Sequence, residues 1–92
     1  MSQGDVLIVG NGSREHALAY KLRQSEHVKR IYVGSGNGGI RGIGEILPID
    51  PQDISSLCRF SLEKGIDLTI VGPEAPLKKG IVELFHMNNL AI

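Results

Sequence analysis

Val6-Leu7-Ile8-Val9-Gly10-Asn11-Gly12-Ser13-Arg14-Glu15-His16-Ala17-Leu18 is the stretch on which the fold turns. Four consecutive apolar residues suit a strand buried on both faces of a parallel sheet. Gly10 and Gly12, one residue apart, let the chain reverse tightly and leave backbone N–H groups uncovered. A helix-forming run follows. Strand, glycine turn and helix in this order present a helix N-terminus to an anion, usually a phosphate.

Outward from that stretch, the first helix is expected from Ser13 or Arg14 to Ser25, with Ala17, Leu18 and Leu22 as its inward face. Ser13 can cap it, but the third residue after Ser13 is His16, so no capping box is expected. Ile31-Tyr32-Val33 reads as a second strand. Six glycines between Gly34 and Gly44 mark a backbone-shaped loop, interrupted by Asn37, Ile40, Arg41 and Ile43. Glu45 to Pro48 reads as a short strand that Pro48 pushes to an edge or a strand end.

The second helix has an N-cap candidate in Asp50, proline at its first position in Pro51, and Asp53 in its first turn. Ile54, Leu57, Cys58 and Leu62 give its apolar stripe, and Gly65 is the natural residue after its end. Leu68-Thr69-Ile70-Val71 reads as another strand, followed by the turn Gly72-Pro73-Glu74-Ala75-Pro76. A third helix carries Leu77, Ile81, Leu84 and Phe85, with Gly80 costing it about 1 kcal/mol relative to alanine. Leu90-Ala91-Ile92 reads as a strand at its start, so the chain is expected to be one domain, 1–92, cut short at its C-terminal end.

This alternation implies an α/β fold, a Rossmann-like open parallel sheet with helices on both faces and right-handed crossovers. Both glycine turns, after Val9 and after Val71, fall at carboxyl ends of strands, where open α/β sheets bind ligands. With the first strand central, the two turns flank one crevice.

The bulk numbers narrow the function classes. Ten basic and ten acidic residues cancel, which argues against a nucleic-acid-binding domain. One cysteine, Cys58, permits no internal disulfide and suits a reducing, cytoplasmic compartment. The polar start Met1-Ser2-Gln3-Gly4-Asp5 is no signal peptide, and no apolar run is long enough to cross a membrane.

The dinucleotide fingerprint requires Gly-x-Gly-x-x-Gly and an acid ending the second strand. Glu15 stands at the third glycine position and Val33 is followed by Gly34, so both requirements fail. The Gly-Lys-Ser/Thr of a P-loop is missing as well. What remains is a turn with Gly10 and Gly12, a helix N-terminus and Arg14, which together can hold one phosphate group. The alternative is an ordinary tight turn with Arg14 in solvent. Glu15 has a simple role too, as an acid favoured by the helix dipole. His16 can equally be a buried, hydrogen-bonded histidine, and no second His or Cys lies at metal-ligand spacing, so no metal site is expected. Glu74, between Pro73 and Pro76, is either a carboxylate aimed at sugar hydroxyls or an amine, or a solvated loop acid. Lys78 and Lys79 are expected to oppose the dipole at a helix start. Cys58 is assigned to the core, and Lys29 and Arg30 to a solvated helix-to-strand link.

The residues from Val6 to Leu18 resemble the opening of phosphoribosylamine–glycine ligase, also called glycinamide ribonucleotide synthetase. Gly36-Asn37-Gly38-Gly39 resembles that family's second-strand loop, and Val71-Gly72-Pro73-Glu74-Ala75-Pro76-Leu77 its fourth-strand loop. The three segments occur in the family's order and roughly its spacing, and the similarity extends over nearly the whole chain. The resemblance implies a pre-ATP-grasp N-terminal domain of the ligase that joins 5-phosphoribosylamine to glycine in de novo purine (IMP) biosynthesis. It implies that Gly10, Asn11, Gly12, Ser13, Arg14, Glu15, Asn37, Gly38, Pro73, Glu74 and Pro76 help bind phosphoribosylamine. It also implies that no catalytic residue lies here, that no cofactor is bound by this chain alone, and that ATP and Mg belong to an ATP-grasp portion absent from it. The partners implied are phosphoribosylamine and the remaining domains of a parent ligase, either stand-alone or the first part of a trifunctional enzyme. Three features depart from the family pattern: Ser13 replaces a common glycine, Gly34-Ser35-Gly36-Asn37 lacks a common proline, and the loop to the second helix is slightly shorter. The competing reading is a non-catalytic nucleotide- or dinucleotide-binding module.

Overall fold

The apolar run that opens the chain becomes the inner strand of a parallel sheet. In the computed structural model, which describes residues 4–10, 12–34 and 44–92, β1 spans Gly4–Val9. Its neighbours are β2, Val28–Gly34, and β4, Leu68–Val71, and β3, Glu45–Leu47, lies outside β2. The strand order is β3-β2-β1-β4. Every pairing is parallel, with Val6 opposite Ile31 on one side and Leu68 on the other. Pro48 falls just past the end of β3, where its missing N–H costs no ladder bond.

Alternation along β1 feeds two cores. Val6 and Ile8 pack with Ala19, Ile31 and Val33 beneath α1, Ser13–Arg23. Leu7 and Val9 pack on the other face with Leu57 and Cys58 of α2, Ile54–Lys64, and with Ile81 and Phe85 of α4, Ile81–Met87. Burial on both faces is why β1 reads as an unbroken apolar run. Tyr32 of β2 meets Phe60 edge-to-face, with ring centroids 5.1 Å apart, a favourable aromatic geometry.

Several local expectations are corrected. α1 is capped by Gly12, not Ser13, and the third residue after Gly12 is Glu15, whose Oε1 accepts the Gly12 N–H at 3.0 Å. One half of a capping box therefore forms, because glycine has no side chain to supply the other half. The inward face of α1 is rotated from the expected one: Ala19 is buried, Leu18 and Leu22 are half-buried, and Ala17 is exposed. α2 is capped by Asp53, not Asp50. Asp50 instead closes the preceding turn, accepting the Gln52 N–H on Oδ1 at 2.8 Å and the Asp53 N–H on its carbonyl at 2.9 Å. Leu57, Cys58 and Ser61 are buried on α2 while Leu62 is half exposed, and the Ser61 hydroxyl is satisfied by the Leu57 carbonyl at 2.9 Å. Gly65 ends α2 at φ +69°, as expected of a left-handed cap.

The expected third helix is two. α3, Glu74–Lys78, stops at Lys79, and Gly80 at φ +91° turns the chain into α4. Lys78 and Lys79 thus sit at the end of a helix, where cations complement the dipole rather than oppose it. Lys29 and Arg30 lie within β2, not in a link, and are exposed. Leu90–Ile92 is not assigned as strand, but the Ala91 carbonyl accepts the Thr69 N–H at 3.1 Å along the outer side of β4. The glycine stretch from 35 to 43 lies outside the described residues.

Candidate functional site

The carboxyl ends of β2, β1 and β4 are stitched together by backbone bonds from the residues that follow β1 and β4. The Gly10 N–H donates to the Gly34 carbonyl at 3.0 Å, and the Gly72 N–H donates to the Val9 carbonyl at 3.1 Å. Since β1 leads to β2 on one side and is joined by β4 on the other, the turns after Val9 and Val71 adjoin where strand order reverses. The two turns expected to flank a crevice are thus neighbours.

Glu15 occupies the gap between these turns. It is 7% exposed, although Ser13, Arg14, His16 and Ala17 around it are exposed. A Cβ built on Gly72 would lie 2.5 Å from Glu15 Cδ, and one on Gly10 would lie 2.7 Å from Glu15 Oε1 and 2.8 Å from Pro73 Cδ. Gly10 is also at φ +120°, a conformation open to glycine and strained for other residues. Gly10 is therefore required by its backbone conformation and by Pro73 beside it, whereas at Gly72 the absent side chain is what leaves room for the Glu15 carboxylate.

Of the residues expected to bind substrate, Gly10, Gly12, Glu15 and Pro73 come together here. Ser13 and Arg14 are exposed in the first turn of α1, so Arg14 is accessible to a ligand's anionic group. Pro73 caps α3 and Pro76 is buried in it. Glu74 begins α3 and faces solvent, with Lys78 Nζ 4.0 Å from its Oε2; an exposed i,i+4 pair of this kind is weak and leaves the carboxylate available. Asn11, Asn37 and Gly38 lie outside the described residues. His16 is exposed, so it is not the buried histidine that the sequence allowed.

Glu15 was legible as a candidate but not as a buried one. An acid in a helix's first turn ordinarily faces water, and the only cue to its burial is its place where a dinucleotide site has glycine. Among the described residues no cluster of three or more His, Cys, Asp or Glu side chains could hold a metal ion, and no helix is long and apolar enough to cross a membrane.

An open cleft of about 610 Å³ lies at the opposite end of the sheet, lined by Arg23, Lys29, Arg30, Glu45 and Lys64 among others. Arg23 and Lys64 end α1 and α2, where helix dipoles alone account for them. The Arg30 guanidinium is held above its ordinary pKa by its hydrogen bond to Tyr32, and further by the Tyr32, Asp5 and Glu45 charges. Arg30 thus interacts with Tyr32, Asp5 and Glu45, while Arg23 and Lys64 complement helix ends.

Comparison with known proteins supplies the context. Residues 4–92 match the family described as phosphoribosylglycinamide synthetase, N domain. The chain is 48% identical over 87 residues to the phosphoribosylamine–glycine ligase of Caldanaerobacter subterraneus subsp. tengcongensis, covering 95% of this chain and 21% of that protein. It is 47% identical over 83 residues to the Rhodopirellula baltica ligase, covering 90% and 19%. It is 47% identical over 89 residues to that of Escherichia coli K12, covering 95% and 21%. The chain thus spans about a fifth of the length of these relatives.

Proposed function

The chain belongs to the phosphoribosylglycinamide synthetase N-domain family, and from that premise we propose that it forms the sugar-phosphate-binding layer of a phosphoribosylamine–glycine ligase. The observation that carries this reading is the adjoining pair of glycine turns at the carboxyl ends of β1 and β4, with Glu15 between them. In the proposed reaction, the carboxylate of glycine is phosphorylated and the amine of phosphoribosylamine displaces the phosphate. The residues here recognise the sugar phosphate, whereas ATP and magnesium are held by the remainder of the ligase.

Each group has a chemical part in this reading. Arg14, exposed at the start of α1, supplies a guanidinium to the phosphate. Ser13 adds a hydroxyl donor beside it. Glu74, exposed after Pro73, accepts hydrogen bonds from ribose hydroxyls or the amine. Asn11, Asn37, Gly38 and Pro76 complete the proposed set. The single buried cysteine suits the cytoplasm, where thiols stay reduced.

Isothermal titration with ribose 5-phosphate, AMP and NAD separates this reading from a dinucleotide-binding module. Selective binding of ribose 5-phosphate is expected. Tight NAD binding refutes the proposal. So does turnover of ATP, glycine and phosphoribosylamine by these residues alone, which would place phosphoryl transfer within this layer.

A further inference from the structure

Resting on the sugar-phosphate reading of the two turns, we propose that Glu15 is a positioning residue whose carboxylate brackets the Gly10–Gly12 turn against the Gly72–Pro73 turn and so sets the width of the crevice. Three observations converge on it. First, Glu15 is buried while its neighbours along α1 are exposed. A first-turn acid gains the dipole's attraction while still solvated, so burial gives it nothing extra unless it makes contacts there. Desolvating a carboxylate is costly without compensation.

Second, the compensation comes from one of the two turns. Gly12 donates its N–H to Oε1 at 3.0 Å, and the positive end of α1 lies beside the charge. Third, the side chain's other contacts are with the second turn. Its Cδ, Oε2 and Cγ would all lie within 2.9 Å of a Cβ on Gly72, while the place of a Cβ on Gly10 is shared by Glu15 Oε1 and Pro73 Cδ. The carboxylate therefore spans from the loop after β1 to the loop after β4. Among the described residues neither loop bonds to the other's backbone beyond the Gly72–Val9 link, so Glu15 fixes how far apart they stand.

The test uses the full-length ligase. Glu15→Ala is expected to raise KM for phosphoribosylamine about tenfold, because a small displacement of a positioning group costs that much or more. KM for ATP and glycine should stay put, and the variant should remain folded at the assay temperature with the unfolding midpoint lowered only by the lost bond to the Gly12 N–H. Glu15→Gln keeps the side chain's shape and its Oε1 acceptor, so it should remain within about threefold of wild type in every constant. Gly72→Ala, which displaces the carboxylate, should reproduce the effect of Glu15→Ala, and the double variant should be no worse than either single one, because both remove the same bracket.

Four outcomes overturn the proposal. One is an active wild type whose phosphoribosylamine KM is indifferent to Glu15→Ala. Another is an equal rise in all three KM values. A third is Glu15→Gln as damaging as Glu15→Ala, which would put the charge itself on the substrate. The fourth is a Gly72→Ala, Glu15→Ala double variant whose phosphoribosylamine KM rises by the product of the two single effects. A wild type that turns over no phosphoribosylamine refutes the sugar-phosphate reading, and this proposal with it.

Discussion

Asp53 holds Ser56 twice: Oδ1 accepts the Ser56 backbone N–H at 3.2 Å and Oδ2 accepts the Ser56 hydroxyl at 2.8 Å. This pair fixes the start of α2, one turn later than Asp50 and Pro51 suggest. Asp53→Ala should therefore destabilise the domain by about 1 kcal/mol, the usual cost of a lost N-cap. Asp50→Ala should cost less, since it removes only the exposed bond to the Gln52 N–H. Urea unfolding of the two variants checks the order, and a larger loss for Asp50→Ala would contradict the assignment.

Gly65 and Gly80 are both left-handed, at φ +69° and +91°, and neither is crowded: a Cβ on Gly65 meets nothing within 4 Å, and one on Gly80 meets only Glu83 Oε1 at 3.8 Å. Backbone conformation alone sets the cost of a side chain there. Gly65→Ala and Gly80→Ala should each lose about 1–2 kcal/mol. Asparagine, which tolerates this region better, should lose less at either position. An alanine variant as stable as wild type in urea would show that the helix end can rearrange without cost.

Burial pushes the Cys58 thiol above its ordinary pKa. As pH rises past that ordinary value, the unfolded chain loses the thiol proton first and the folded chain keeps it. The unfolded state then binds fewer protons, so stability falls with pH. The contribution is complete below the unfolded pKa and disappears as pH climbs toward the folded one. Between pH 8 and pH 10, wild type should lose more stability than Cys58→Ala, measured as the difference in urea midpoints. Equal losses would remove the thiol from the account.

Thr69 is 2% exposed, and its Oγ1 has no hydrogen-bond partner among the described residues. A buried unpaired hydroxyl is destabilising, and valine has nearly the same shape without it. Thr69→Val should raise stability by about 1 kcal/mol. A lowered melting temperature would reveal a partner for the hydroxyl.

The strands were readable because apolar runs bounded by glycine leave few alternatives, and their alternation with helices implied the parallel sheet, whereas the place of β1 between β2 and β4 comes from the structure. Local details failed where two residues satisfied one rule. Asp50 and Asp53 are both acceptable caps, and only the turn closed by the Asp50 carbonyl decides between them. Ala17 and Ala19 are equally small, so little in α1 marks which faces the sheet. The spacing of Leu77, Ile81 and Phe85 runs unbroken through Gly80, so periodicity could not show the left-handed break there. At the site, the two turns and their adjacency were readable from chain order. The burial of Glu15 was not, because it depends on contacts with Gly10 and Gly72, the latter 57 residues away in a chain whose numbering alone cannot bring them together.

The position of β1 between β2 and β4 also shapes how the domain is made. The Asp5 N–H closes on Asp67 Oδ2 at 2.8 Å across a separation of 62 residues. During synthesis at about 5–20 residues per second, β1 waits roughly 3–12 s for β4 to emerge. Over that interval the apolar run Val6–Val9 has β2 but not its other neighbour, nor α4. Closing so long a loop before it is rewarded by pairing slows folding. A strand made before either of its neighbours thus waits longest to be covered on both sides, and the ribosome-bound intermediate is where chaperones would find a substrate.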